Sequence, residues 1–584
     1  MIRKLAQPGL LFGILASLFW FSFRLSNQRI YQVDECQNLY MAKVLATNQA
    51  SEFFTNASLF LLGPLSWMTK RAVQSAELFT CARLLFLGIF WVNVVLLALL
   101  AGGRLRSSGG LIALLAAATL APMWDYGFEI RHDNLILTGV LLTWWTIRVR
   151  PAGAPSYMLA GAVAVTLLFI AVKALVYVLP LSAAILAFPP PGHRTSRWRL
   201  ALAWVGGTLM ATVLIRISYG TGGGWDLYLS VYRLFCHGVS KVSAGGGNSG
   251  GFGPSLALGR LLSQTPLLLA LTAAACCAVA ADFHRRGKAA LNWEGNLPEL
   301  LLFGGALGVL MINPTPYPYN LLHLVPYAFV LVFRYGITIW NDLWNRPTLR
   351  PLLPTLLIFT HFVPFGLATQ RHSDFPNLHQ RGRMRLAEDL TDRATDPVYD
   401  GVGMVPTRSA VDFQWYLHSL TIQNFINGPG PYVRDMLAAR PAAVIIPNYR
   451  TDWLPAKDHK YIREHYVSLA DDLWVLGKVL PAGGETFEII HPGRYRISSL
   501  AGSDIVGSYP EGFAGLMTPE DEGCLVGTLD GLPLTSQPVE LTAGIHRIEC
   551  SAEIQAAVVW MGPRLNRVHR VPPGDHTMLF VNWY

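Results

Sequence analysis

The chain has 584 residues, of which 52% are hydrophobic and 14% charged, and its formal net charge is +9. Soluble globular proteins carry about 25% charged residues, and disordered chains combine low hydrophobicity with high net charge, so both classes are excluded. The composition instead predicts a membrane protein with many spans and a soluble part attached. The basic residues lie largely in short loops between apolar runs, where membrane orientation places them, so the charge does not indicate a nucleic-acid partner.

Apolar runs recur through residues 1–370, which we interpret as the transmembrane domain. At roughly 20 residues per span, they predict about eleven transmembrane helices. The predicted spans are 8–25, 78–101, 109–123, 133–148, 156–171, 174–190, 200–218, 260–281, 297–312, 321–340 and 351–369. The run from Tyr157 to Phe188 is too long for one span, and we divide it near Lys173. The first run lacks a small-residue cleavage site, which favours an uncleaved helix over a signal peptide.

The basic residues predict the orientation of the spans. With the N-terminus inside, every predicted inner loop contains arginine, in agreement with the positive-inside rule. The inner loops all remain basic only if the long apolar run is divided at Lys173. An odd number of spans then places the C-terminus outside the cytoplasm.

The composition changes at about residue 370, where a polar and charged stretch begins. Residues 371–484 mix helix-like stretches with short apolar strands, which predicts a small exoplasmic α/β domain. Residues 485–584 alternate apolar and polar residues between turn signals, which predicts an exoplasmic β-sandwich domain. Cys524 and Cys550 both fall in this predicted sandwich and are a candidate disulfide if the domain is periplasmic.

Two adjacent carboxylates, Asp34 and Glu35, follow the first predicted span at the start of an amphipathic segment. In one interpretation Asp34 caps a helix and Glu35 complements the helix dipole. In the other, Asp34 is a general base at the membrane surface and takes a proton from an acceptor hydroxyl. The two residues by themselves leave both interpretations open.

The second outer loop places Glu129, Arg131, His132 and Asp133 where the chain re-enters the membrane. Four ionisable groups at such a boundary are costly unless they are paired or functional. They form either an ordinary interfacial cluster or a polar site. In the polar site Arg131 holds an anionic group, and Asp133 orients a substrate or binds a metal.

Lys173 and the loop before His323 contribute the remaining candidates. Lys173 is the lone charge in its apolar run, and it either snorkels to the outer interface or contacts a phosphate. Tyr317 and Tyr319 suit the aromatic belt of a membrane interface. His323, one turn into the next span, is either a packing histidine or a phosphate or sugar contact.

The longest outer loop, residues 219–259, is rich in glycine. No strand precedes it and it lacks the GK[ST] sequence, so it is not a nucleotide-binding P-loop. Because glycine-rich segments are mobile, we interpret it as a flexible lid.

The order of these motifs along the chain resembles that of a known class of enzymes. An Asp-Glu pair follows the first span, Arg131-x-Asp133 opens the fourth, and "FIAVKALVYVLP" and "YPYNLLHLVPYAF" come later. Together they resemble GT-C class glycosyltransferases, in particular bacterial protein O-mannosyltransferase-like and lipid A aminoarabinose transferase-like enzymes. The resemblance covers residues 1–370 in layout. It implies a bacterial inner-membrane enzyme with periplasmic or extracellular C-terminal domains.

The same resemblance implies an inverting transfer of a sugar from a polyprenyl-phosphate donor to a hydroxyl of a glycan, lipid or protein acceptor. Asp34 matches the catalytic base, Glu35 supports it, and Asp133 matches the second acidic position. These three carboxylates also offer oxygen ligands for a divalent metal, which the sequence leaves open. The substrate-binding candidates all lie on the predicted outer side and are Arg131, His132, Lys173, Tyr317, Tyr319 and His323.

Two other classes of function fit the sequence less well than a transferase. An envelope lipid or glycan transporter or flippase often has internal repeats and ionisable residues at mid-membrane. Here no repeat is evident in the sequence, and the ionisable candidates gather on one predicted side. A non-catalytic envelope assembly protein needs only a few spans as an anchor, so the predicted eleven spans count against this class.

Overall fold

The structure is a computed structural model. It describes residues 2–47, 59–102, 105, 108–148, 153–187, 196–220, 254–287, 297–312, 318–333, 345–348, 351–411, 417, 432–499, 527–535, 537–551, 555–562 and 574–580. Tyr317, Cys524 and residues 221–253 of the glycine-rich loop lie outside these ranges. The tyrosine contact, the disulfide and the lid therefore stay predictions.

Helices build the N-terminal part of the described chain. Their bounds are α1 Ile2–Gln28, α2 Val33–Ala46, α3 Leu59–Arg71, α4 Ser75–Gly102, α5 Ser108–Ala118, α6 Ala121–Tyr126, α7 His132–Arg148, α8 Ala154–Ile170, α9 Leu175–Ala187, α10 Arg197–Gly220, α11 Pro254–Gln264, α12 Pro266–Arg286, α13 Leu297–Ile312, α14 Leu321–Leu331, α15 Leu352–Leu357 and α16 Val363–Asp374. A π-helical segment, Ile358–Phe362, joins α15 to α16.

Within the described ranges, four helical segments are long and apolar enough to cross a membrane. They are Gly9–Gln28, Ser75–Gly102, Trp198–Ser218 and Pro266–Arg286. Shorter apolar helices cover Ala154–Ile170, Leu175–Ala184 and Pro298–Met311. The membrane class predicted from composition is confirmed, whereas the count of about eleven spans stays a prediction.

Two of the apolar runs are broken near their predicted outer ends. Helix α8 ends at Ile170, and the 3₁₀ turn Val172–Ala174 separates it from α9. This break lies at Lys173, where the sequence predicted it. Helix α5 ends at Ala118, and Pro122 then opens the short helix α6, because proline suits the first turn of a new helix and not a helix interior.

The C-terminal region combines helices and strands. The helices are α17 Leu378–Leu390, α18 Val433–Ala439 and α19 Ala456–His465. The strands are β1 Val398–Tyr399, β2 Val444–Ile445, β3 Tyr466–Ala470, β4 Leu473–Leu480, β5 Thr486–Ile489, β6 Gly493–Ser499, β7 Gly527–Leu529, β8 Leu532–Pro533, β9 Val539–Leu541, β10 Gly544–Cys550 and β11 Ala556–Trp560.

These strands form two sheets. A seven-stranded sheet has the order β1-β2-β4-β11-β6-β9, with β3 paired to β4, and a four-stranded sheet has the order β5-β10-β7-β8. Strand β11 lies between β4 and β6, with Val558 opposite Lys478 on one side and Ile497 on the other. Phe487 of the smaller sheet and Ile497 of the larger one share a buried core, as in a sandwich.

The larger sheet differs from the prediction of separate units at 371–484 and 485–584. Strand β11 comes from the second unit and pairs with β4 of the first, so the sheet is continuous across the predicted boundary. All five residues of β11 are buried, and such a strand needs a neighbour on both edges to satisfy its backbone.

Helix α2, in the first predicted outer loop, packs against both the membrane helices and the C-terminal region. One buried cluster contains Leu39 of α2, Phe79 of α4, Val444 of β2, Val559 of β11 and Phe580 near the C-terminus. The C-terminal region is therefore fixed to the segment that carries Asp34 and Glu35.

Helices α8 and α10 approach each other closely at two glycines. A Cβ added at Gly161 would clash with the carbonyl of Trp204, and one added at Gly207 would clash with the carbonyl of Met158. Small residues let membrane helices pack backbone against backbone in this way. Gly206, the neighbour of Gly207, faces open space.

We expect Gly207→Ala to lower the midpoint of thermal unfolding in detergent, because overpacking a tight contact costs roughly 1–3 kcal/mol. Gly206→Ala is the matched control. It places the same methyl in open space and gains the better helix propensity of alanine, so its midpoint should equal or exceed that of the wild type. Equal midpoints for the two variants would contradict the packing described for α8 and α10.

Candidate active site

Glu35 fixes the first turn of α2. Its side chain is fully buried, with Oε1 accepting from Nε of Arg83 at 2.9 Å and Oε2 from Nη2 at 2.6 Å. The backbone N–H groups of Gln32 and Ile130 donate to the same carboxylate at 2.9 and 3.3 Å. Gln32 is the N-cap of α2, so the interpretation of Asp34 as a cap is wrong.

Arg83, in the membrane helix α4, also holds the chain between α1 and α2. Its guanidinium donates to the carbonyls of Ser26 at 3.1 Å, Arg29 at 2.6 Å and Ile30 at 2.7 Å. Burial alone would raise the pKa of Glu35, but the guanidinium of Arg83 outweighs burial and lowers that pKa below its ordinary value. With both oxygens engaged, Glu35 is a positioning residue.

Asp34 faces the opposite way and keeps 37% of its side chain exposed. It forms an ion pair with Nη1 of Arg131, which is itself buried. Nε of Arg131 lies 3.3 Å from Oδ2 of Asp133, and its guanidinium stacks over the ring of Tyr319 at 3.9 Å from the centroid. Arg131 thus joins the two carboxylates and is held against an aromatic face.

Asp133 is the buried centre of the cluster. Nζ of Lys173 lies 2.5 Å from its Oδ1, and Nε2 of His323 lies 3.5 Å from the same atom. His132 is farther, at 3.8 Å from Oδ2. Nζ of Lys173 also lies 5.0 Å from the ring centroid of Tyr319. A buried carboxylate is costly unless it is paired, and here Lys173 and Arg131 supply the charge.

The cluster has a buried side and an open side. Lys173 and His132 keep 28% and 26% of their side chains exposed, and they form the open side together with Asp34. His323 is on the buried side and stacks on Tyr177 with ring centroids 4.4 Å apart. A substrate group at this site would therefore meet Asp34 and Lys173 first.

The structure brings together the predicted site residues that it describes. They come from the start of α2, the loop before α7, the break after α8 and the start of α14. Sequence reasoning missed Arg83 and the stacking partner Tyr177. The sequence does give an indication for Arg83. It is a charged residue within the apolar run of α4, as Lys173 is within its own run.

Asp34, Glu35 and Asp133 are the carboxylates that the sequence offers as oxygen ligands for a divalent metal. Here each carboxylate already pairs with a cation, and the pairs are Asp34 with Arg131, Glu35 with Arg83, and Asp133 with Lys173. A metal ion at these oxygens would have to displace the ion pairs.

No protein-family model and no curated protein sequence matches this chain. Solved structures do resemble it. It is similar to ArnT from Cupriavidus metallidurans in the apo state, with 12% identity and a TM-score of 0.48 over 81% of this chain and 98% of that one. ArnT bound to undecaprenyl phosphate gives 13% identity and a TM-score of 0.44 over 80% of this chain and 97% of that one.

The oligosaccharyltransferase of Archaeoglobus fulgidus, tethered with an acceptor peptide, is also similar. It gives 11% identity and a TM-score of 0.45 over 79% of this chain and 72% of that one. Both neighbours are GT-C glycosyltransferases, the class that the sequence motifs resemble.

We expect Glu35→Gln to destabilise the protein by about 3–5 kcal/mol, because it leaves the buried guanidinium of Arg83 without a counter-charge. Since the pKa of Glu35 is lowered on folding, its contribution is present above its unfolded pKa and is lost as pH falls through its folded pKa. Thermal unfolding in detergent measures both effects. Glu540→Gln, on β9 with 72% of its side chain exposed, is the matched control and should leave the midpoint nearly unchanged.

Proposed function

We propose that the protein is a bacterial inner-membrane glycosyltransferase. It moves a sugar from a polyprenyl-phosphate donor to an acceptor hydroxyl at the outer, periplasmic face, with inversion. The observation that carries the proposal is the joint placement of one exposed carboxylate, Asp34, with the cations Arg131 and Lys173. A base for the acceptor and positive charge for the phosphate are the two requirements of this chemistry.

In the proposed reaction, Asp34 takes the proton of the acceptor hydroxyl while the hydroxyl oxygen attacks the anomeric carbon. The bond from that carbon to the phosphate oxygen breaks, and its electron pair leaves with the polyprenyl phosphate. Attack from the face opposite the leaving group inverts the anomeric configuration, by analogy with other inverting sugar transfers. The exposed side of Asp34 then returns the proton to water.

Lys173 and Arg131 would neutralise the charge that develops on the leaving phosphate. Lysine provides a point charge and arginine a planar pair of donors, and both suit phosphate oxygens. Asp133 is buried beneath them and holds both cations, so we assign it a positioning role. Tyr319 contacts both cations through its ring face.

The remaining predicted contacts have distinct places in the cluster. His132 is on the open side, where it would meet the sugar or the acceptor, and His323 is held behind Asp133. The lipid tail of the donor would stay in the bilayer, which suits a site built where membrane helices begin. The acceptor, whether glycan, lipid or protein, would approach beside the C-terminal region that packs on α2.

The flippase alternative predicts ionisable residues along a path through the membrane. The cluster is instead formed at the starts of α2, α7 and α14 and at the break before α9. This arrangement favours a reaction at one surface over transport across the bilayer.

The first test is a transfer assay in proteoliposomes with a panel of polyprenyl-phosphate sugars. We expect Asp34→Asn to lower turnover by about 10²–10⁴-fold, because the acceptor loses its general base. Asp389→Asn, an exposed aspartate on α17, removes the same charge elsewhere and should retain wild-type turnover. Equal turnover of the wild type and Asp34→Asn would refute the role of Asp34 as the base.

A second test concerns the leaving phosphate. We expect Lys173→Met to lower kcat by about 10²–10³-fold, since a cation that stabilises developing charge is lost. Lys173→Arg keeps the positive charge and should retain part of the wild-type kcat. Lys460→Met, at a lysine with 73% of its side chain exposed, is the matched control. A change in KM for the acceptor alone would contradict a contact between Lys173 and the donor phosphate.

A further inference from the structure

Three residues that follow β2 form a stacked aromatic surface, which we call the Trp453 surface. Tyr449 and Trp453 meet edge to face, with ring centroids 5.5 Å apart. The guanidinium of Arg450 lies 5.2 Å from the centroid of the first ring and 4.9 Å from that of the second, and its Nε donates to the hydroxyl of Tyr449 at 3.0 Å. Trp453 nevertheless keeps 45% of its surface exposed, so a ring that two neighbours hold still faces solvent.

Asn448 and Thr451 hold the backbone of this surface in place. The side-chain amide of the buried Asn448 donates to the carbonyl of Asp400 at 2.7 Å, and its oxygen accepts from the N–H of Arg450 at 3.0 Å. The hydroxyl of Thr451 accepts from the N–H of Asn448 at 2.9 Å and donates to its carbonyl at 2.7 Å. Trp453 ends the 3₁₀ turn that Thr451 begins. A ligand that binds this ring therefore does not have to order the main chain, which favours affinity.

Tyr449 connects the Trp453 surface to Asp34. It packs against the buried cluster that contains Leu39 of α2, and its ring centroid lies 6.3 Å from that of Phe580. Burial raises the pKa of the Tyr449 hydroxyl, the charge of Arg450 acts against this rise, and the carboxylate of Asp34 adds to it. The hydroxyl therefore lies within electrostatic range of the exposed carboxylate that we propose as the base.

The chemistry of this surface suits a sugar ring. The face of an aromatic ring is electron-rich, so it attracts the weakly positive C–H groups on one face of a pyranose. The hydroxyl groups of the sugar need polar partners beside that ring. Asp452 and His576 offer them, since they keep 45% and 28% of their side chains exposed and form a pair at 3.4 Å next to Trp453. A fatty acyl chain would instead desolvate these charged groups without pairing them.

We propose that the Trp453 surface is an acceptor subsite that holds a sugar ring of a glycan. The proposal rests on the proposed function in one respect, namely that the bound glycan is the acceptor of the transfer. It selects the glycan among the three acceptor classes that the sequence leaves open. The stacked sugar would neighbour the one whose hydroxyl reaches Asp34, so the C-terminal region would present the acceptor to the base.

The experiment measures glycan binding by the full chain in nanodiscs, without any donor, so the result does not depend on transfer. The probes are fluorescently labelled neutral, amino and acidic oligosaccharides and a labelled peptide rich in serine and threonine, followed by fluorescence anisotropy. We expect the wild type to bind at least one of the oligosaccharides. Trp453→Ala should weaken that binding by roughly ten-fold or more, the usual cost of removing an aromatic anchor, and Trp453→Phe should retain part of it.

Trp67→Ala is the matched control. Trp67 lies on α3, is 58% exposed and also has a guanidinium over its ring, that of Arg71 at 3.8 Å from the centroid. This variant should bind the oligosaccharide as the wild type does. The subsite is refuted if no oligosaccharide binds the wild type, if the peptide binds instead, or if Trp453→Ala and Trp67→Ala bind equally. A failed transfer assay with this binding pattern intact would count against the transferase and not against the glycan subsite.

Discussion

The buried ion pair between Glu35 and Arg83 is the interaction on which the rest of the site depends. It fixes the first turn of α2 to α4, and through Ile130 it also fixes the second loop. Successive residues on a helix point roughly 100° apart, so anchoring Glu35 on the inside turns Asp34 toward the open side. The buried carboxylate of Glu35 thus orients the exposed carboxylate of Asp34, which we propose as the base.

Much of the site could be predicted from the sequence because charges in apolar runs are expensive. The sequence marks Asp133 and Lys173 on that ground, and the two side chains lie in direct contact. The ion pair of Glu35 could not be predicted, since its partner Arg83 lies 48 residues away along the chain. The contact of Tyr177 with His323 could not be predicted, because aromatic residues are common in apolar spans.

The fold, like the site, could be predicted in part from the sequence. Hydropathy predicted the four long apolar helices of the described ranges and the break at Lys173, both of which are local properties. The continuous sheet was missed because β4 and β11 are distant in sequence, and a run such as Ala556–Trp560 does not specify its partner. The contact of this sheet with α2 is non-local in the same way, and it joins the C-terminal region to the candidate site.

The shared ring of Tyr319 has a consequence for the two cations of the site. The guanidinium of Arg131 and the ammonium of Lys173 both lie within 5.0 Å of one ring centroid, so their spacing is limited by a single aromatic side chain. If these two cations hold the leaving phosphate as proposed, a change at Tyr319 would disturb both of them at once. The aromatic ring thus couples the two positive charges, although it carries no charge itself.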